Sequence, residues 1–182
     1  GAYNDLEISG KKRSSSILYL SGGTYTFNSI EMKDYAQIRA LEPAIILVSD
    51  TLDTGERNYI GPNDLDQHST GDLIIMVNGI DTLGKNSDKS DKSDKSEKSG
   101  KSEKSDKSDK SDKSGKSSAG SATELRIKTP AVAIGKSSEI QATLFAANGS
   151  IEVDKGALIS GSLSAENIDL DREVTVRFGS GF

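Results

Sequence analysis

Three apolar-x-apolar triplets in the closing third of the chain constrain its fold more than any other feature. Val132-Ala133-Ile134, Ile151-Glu152-Val153 and Ile168-Asp169-Leu170 are spaced 19 and then 17 residues apart. Ile140, Ile159 and Val176 follow at the same two spacings, Leu144 and Leu163 at the first of them, and Ala146 and Ala165 likewise. A repeat this short, built on alternating strands, predicts a β-solenoid in which each unit is one coil. Within a coil alternate side chains point in and out, so Ile151 and Val153 should face a core and Glu152 solvent. Gly156, Gly161 and Asn167 fall where a coil has to turn, and Gly or Asn tolerates the positive φ of such corners. No coil hides its apolar face alone, so the stack is cooperative.

Before the repeat, short strand signals come in quick succession: Leu6 to Ile8, Ile17 to Leu20, Tyr25 to Phe27, Ile30 to Met32, Ile45 to Val48 and Leu73 to Val77. Turn residues separate them, among them Ser21-Gly22-Gly23, Gly55, Gly61-Pro62-Asn63 and Asn78-Gly79. Residues 31–42 hold Met32, Tyr35, Ile38 and Leu41, which suit two strands better than one helix. The chain therefore reads as all-β, a single-stranded β-solenoid with coils of about 17–19 residues. An N-terminal set of coils (1–84) and a C-terminal set (124–182) make one solenoid, interrupted by a low-complexity loop at 85–123.

From Ser87 to Ser117 serine returns at every third position, with Lys before it and Asp, Glu or Gly before that. Residues 88–117 hold 8 acids and 10 lysines, which leaves 20 acids against 13 Lys and Arg in the rest of the chain. With no apolar residue to offset the ordering entropy of about 1–2 kcal/mol per residue, this tract is expected to be a disordered, hydrated loop. As a flexible coil it would span roughly 30 Å. In polyproline II geometry acids, lysines and serines would each line one edge, but carboxylates about 9 Å apart are too sparse for a calcium site.

The acidic body argues against nucleic acid, since phosphate binding needs a clustered basic face and only Lys11-Lys12-Arg13 is one. Cysteine is absent, which excludes disulfides and thiolate metal sites. No apolar run approaches the ~20 residues that span a bilayer, so no membrane insertion is expected in this segment. The start at Gly1-Ala2-Tyr3, without Met, suggests a mature or excised form.

Catalysis has little to draw on. His68 is the single histidine. A Ser69–His68–Asp66 triad would need neighbours in one loop to point at each other, without a nucleophile elbow. Asp169 and Asp171 should share one outward face, as should Asp64 and Asp66, and glycosidases need two carboxyls roughly 5–10 Å apart. Outward acids on a solenoid are more often solvation. With no Trp and five tyrosines, a sugar-binding face has few aromatic platforms. Gly22-Gly23-Thr24 lacks the Lys of a phosphate loop, and Asn148-Gly149-Ser150 is a formal glycosylation sequon better explained as turn chemistry. No catalytic residue, cofactor or metal ligand is assigned. The exposed end is a different matter: Val174, Val176, Phe178 and Phe182 mark a last strand without an obvious cap, an edge for self-assembly.

The run "V-x-x-G-A-x-I-x-G-x-L-x-A" from Val153 to Ala165 is similar to the coils of bactofilins, polymer-forming bacterial β-helices. Three longer stretches resemble an uncharacterised β-solenoid domain of bacterial cell-surface and pilus-associated (PilX-like) proteins. They are "L-x-L-S-G-G-T-Y-x-F-x-S-I" (Leu18 to Ile30), "D-L-I-I-M-V-N-G" (Asp72 to Gly79) and "T-L-F-A-A-N-G-S-I-E-V" (Thr143 to Val153). The resemblance covers the chain apart from the tract, which departs from that pattern. It implies a non-catalytic structural or adhesive module, extracellular or on the bacterial surface. Partners would be other copies of the chain, surface or pilus proteins, or glycans. The alternatives are a filament subunit stacking coil on coil and a polysaccharide-binding or polysaccharide-active β-helix.

Overall fold

The computed structural model describes residues 3–64, 68–83 and 128–178, and all of them belong to one compact unit. The expected low-complexity loop, Asp66 and Phe182 lie outside the described residues. The unit is a parallel β-solenoid of about six turns, and among the described residues the only helical element is one 3₁₀ turn, Thr70–Asp72.

Three faces run up the stack. Face A carries Leu6–Ile8, Ile30–Met32, Leu52–Thr54, Val132–Ile134, 151–153 and 168–170, each paired parallel and in register with the next. Face B carries Ser16–Leu20, Ala36–Ala40, Tyr59–Pro62, 139–141, 158–160 and Thr175–Arg177. Face C carries Gly23–Phe27, Ala44–Val48, Leu73–Val77, 143–146 and 162–165. Towards the C-terminus the strands run through the corners: Glu139–Val153 and Leu158–Leu170 each cross from face B through face C to face A. Residues 31–42 form strands, not a helix.

Leu52 pairs with Val132, Ile60 with Ile140 and Ile75 with Leu144, so chain from both sides of the 84–127 segment forms one continuous sheet. On face A the register advances from Leu6 to Ile30 to Leu52, and later from Val132 to Ile151 to Ile168. The early coils are thus longer than the 17–19 residues of the repeat. Their surplus goes into corners, as at 10–15, where Lys11 and Ser14 form an isolated bridge.

The core is a set of inward columns. Ile30, Leu52, Val132 and Ile151 are stacked on face A, Ile38, Ile60, Ile140 and Ile159 on face B, and Ile46, Ile75 and Leu144 on face C, all essentially without solvent contact. At roughly 1.5–3 kcal/mol for each buried aliphatic side chain, these columns are the main stabilising term. At the corner from face A to face B one residue per coil adopts a left-handed conformation: Tyr35, Arg57, Ser137, Gly156 and Glu173, with φ from 54° to 73°. Only one is glycine, so the corner geometry is imposed by the stack on residues that would otherwise avoid it. Amide-to-carbonyl bonds climb this corner from Tyr35 to Glu56, Arg57 to Lys136 and Ser137 to Lys155.

Just past that corner a polar pair replaces apolar core. The Asn58 side chain accepts the Ala36 amide at 2.7 Å and donates to the Met32 carbonyl at 3.0 Å. The Asn58 amide donates to Ser138 Oγ at 3.1 Å, and that hydroxyl donates to the Gly55 carbonyl at 3.0 Å. Among the described residues no buried side-chain nitrogen or oxygen lacks a partner.

Where the chain leaves and rejoins the stack, Thr82 pairs antiparallel with Thr129 and Leu83 with Lys128. Below this stem the Asp81 carboxylate accepts the Ala131 amide at 3.1 Å, the Ser150 amide at 2.7 Å and the Ser150 hydroxyl at 2.9 Å. Both described flanks of the 84–127 segment are therefore pinned from within the solenoid. Replacing residues 87–117 by a short turn is expected to leave the thermal midpoint nearly unchanged, because loop length enters closure entropy only logarithmically. Differential scanning calorimetry checks this, and a fall of many degrees would mean that the segment packs.

Candidate functional site

Outward positions differ in chemistry from face to face, because the coil register sets like positions directly above one another. On face A the outward column is Glu7, Glu31, Asp53, Ala133, Glu152 and Asp169. Adjacent members sit about one strand spacing apart, ~4.8 Å, and like charges in that relation repel. Lys33 relieves the lower end by bonding Glu7 and lying 3.9 Å from Glu31. The lysine is held more strongly protonated than usual, chiefly by Glu7.

Among the described residues Asp53 has no such cation, and its carboxyl is pushed up from the ordinary range by partial desolvation and then by Glu31. A raised carboxyl stabilises the fold only while protonated, and that contribution is lost as pH rises through its folded-state value. Asp53→Asn is therefore expected to raise the unfolding midpoint modestly at pH 7 and to leave it unchanged near pH 3, in urea titrations at the two pH values. The effect is modest because the side chain keeps solvent on one side.

Asp169 and Asp171 share this face as the alternation requires, with Glu152 and Asp154 lining the same shallow groove. Asp171 Oδ1 already accepts the neighbouring Arg172 amide at 2.6 Å. The histidine loop is likewise arranged as a turn. His68 Nδ1 lies 3.6 Å from Asp72 Oδ2, and that same oxygen accepts the Ser69 amide at 2.8 Å. The carboxylate beside His68 is thus Asp72, at the start of face C. Ser150 of the formal sequon is buried against Asp81. Among the described residues no group of three or more acidic or histidine side chains is arranged to hold a metal ion.

Face B is the opposite case, a polar surface locked together by its own bonds. Gln37, Tyr59 and Glu139 form the middle of one outward column, with Ile17 before them and Leu158 after, and Tyr19, Arg39, Gly61 and Gln141 form the next, continued by Ser160 and Arg177. The Arg39 guanidinium lies 4.7 Å from the centre of the Tyr59 ring and its Nε donates to Gln37 Oε1 at 2.8 Å. Tyr59 Oη donates to the Pro62 carbonyl at 2.7 Å and lies 3.3 Å from Gln141 Oε1. Gln141 Nε2 donates to Glu139 at close range. Gly61 makes this possible, since a Cβ there would meet Tyr59 Oη at 2.7 Å. The Tyr59 ring therefore lies flat along the strand. Its hydroxyl is pushed to higher pKa by desolvation, partly offset by Arg39. Alongside runs a groove of about 340 Å³.

Face C carries no charge at its outward strand positions. Thr24, Ile45, Ile74, Thr143 and Ser162 form one column, and Thr26, Leu47, Met76, Phe145 and Ser164 the other. At the last coil Val174 and Val176 pack partly on the core, whereas Phe178 is 76% exposed. Among the described residues the strand Thr175–Arg177 pairs on one side only, with 158–160.

No family model, curated protein or solved structure matches the chain. The chemistry of the faces must therefore be read from the residues themselves.

Proposed function

We propose that this chain is a non-catalytic structural or adhesive module displayed on a bacterial cell surface or pilus-like appendage. One observation carries the reading: the inward columns are wholly taken up by packing, while the outward columns are sorted face by face into acidic, hydrogen-bonded and uncharged surfaces. Such a stack presents broad surfaces at fixed spacing rather than a concave reaction centre. The stretches that resemble surface-protein solenoids supply the location. The test is antibody labelling of intact producing cells, compared with permeabilised ones. Labelling without permeabilisation is expected, and signal only after permeabilisation would contradict the reading.

The one-sided pairing of Thr175–Arg177 and the exposure of Phe178 favour a second reading, a subunit that stacks end to end. Sedimentation velocity at rising concentration separates the two. Strictly monomeric material would remove the filament.

A further inference from the structure

We infer that face B is a binding strip for a neutral, extended oligosaccharide lying along the stack. The inference concerns this face alone and does not depend on where the protein is displayed.

A saccharide hydroxyl both donates and accepts, so its receptor must offer donors and acceptors side by side, with an aromatic surface for the C–H face of the ring. Face B offers both in register. Tyr19 stands one coil from Arg39, is 52% exposed, and has no hydrogen bond or ring partner among the described residues. It is a free aromatic platform at one end of the strip. Arg39 spends Nε on Gln37 and its π contact on Tyr59, which leaves the Nη donors without a partner among the described residues. Glu139 and Gln37 keep further acceptor and donor capacity, and Gln141 lies beyond them.

Gln37, Arg39, Tyr59, Glu139 and Gln141 already hold one another, so a ligand would have to order only Tyr19, which lowers a main cost of binding through long polar side chains. The columns repeat at one coil per ~4.8 Å, so an extended chain along the axis meets one pair of outward positions at each coil.

Charge selects the neutral class. Among the described residues Arg39 is the single cation lining the groove, and Glu139 and Asp64 line it too. An anionic sugar would meet two carboxylates for one guanidinium. Face A and face C lack this combination: the first is a column of acids, and the second has no charged or amide side chain in its strands.

The test is a ¹⁵N–¹H titration of the full chain with chitotetraose, cellotetraose and maltotetraose, and with tetragalacturonate as the charged counterpart. At least one neutral tetrasaccharide is expected to shift the amides of Tyr19, Arg39, Gly61 and Gln141, saturating at or below about 10 mM. Tyr19→Ala and Arg39→Gln should each weaken that binding about tenfold with the circular dichroism unchanged. Glu152→Gln on face A should leave it as it was. No face-B shift with any neutral probe overturns the inference. So do shifts that survive both face-B variants, or tighter binding of tetragalacturonate than of every neutral probe.

Discussion

Replacing Asn58 by Ala is expected to cost about 3 kcal/mol. Asn58 is 2% exposed, and its side chain accepts the Ala36 amide and, together with the Gly55 amide, donates to the Met32 carbonyl. Alanine takes the side-chain acceptor away from the Ala36 amide inside the stack and leaves the Met32 carbonyl with the Gly55 amide alone. Each unsatisfied buried group costs roughly 1–3 kcal/mol, and the lost volume adds to that. Asp is no rescue, because it would set a second oxygen against the Met32 carbonyl. Ser138→Ala, which removes a hydroxyl bonded to the Asn58 amide and the Gly55 carbonyl, should cost less, about 2 kcal/mol. Urea unfolding of the three proteins measures these differences, and a loss under about 1 kcal/mol for Asn58→Ala would contradict the bonding described.

Gly79→Ala is the second large effect. The corner after face C brings the Gly79 backbone against the preceding coil so closely that a Cβ would sit 1.6 Å from the Asp50 carbonyl oxygen. That obstacle is backbone, so no rotamer change relieves it and two coils must separate. A loss of about 3 kcal/mol or more is expected, with failure to fold as its extreme. Gly71 provides the comparison, because the nearest atom to a Cβ there is Ser69 Oγ at 3.5 Å, an ordinary contact. Gly71→Ala should therefore melt close to the parent. Equal behaviour of the two variants would show that the coils are not stacked as described.

The repeat made the C-terminal coils legible because there the alternation of Ile151-Glu152-Val153 continues almost without a break, and pairs at the 19- and 17-residue spacings seen in the chain. The earlier coils were harder to read for a physical reason. Leu52–Thr54 and Tyr59–Pro62 are strands with few apolar residues, and the second contains Gly61 and Pro62, ordinary turn markers. Stacking decides them: Gly61 is required by the flat Tyr59 ring. Asn58 was equally hidden, since a single Asn between Arg57 and Tyr59 resembles a loop until Ser138, distant in sequence, is placed above it. The five tyrosines also promised little for sugar binding until the register put Tyr19 and Tyr59 on one face. By contrast, the outward pairing of Asp169 with Asp171 followed directly from alternation.

Chain from before and after the 84–127 segment interleaves in one parallel stack. Backbone nuclear Overhauser effects test it most directly. Cross-strand contacts of parallel type are expected between Asp53 and Ala133, Tyr59 and Glu139, and Ile75 and Leu144. If those contacts are missing and each part shows contacts only within itself, the single stack is contradicted.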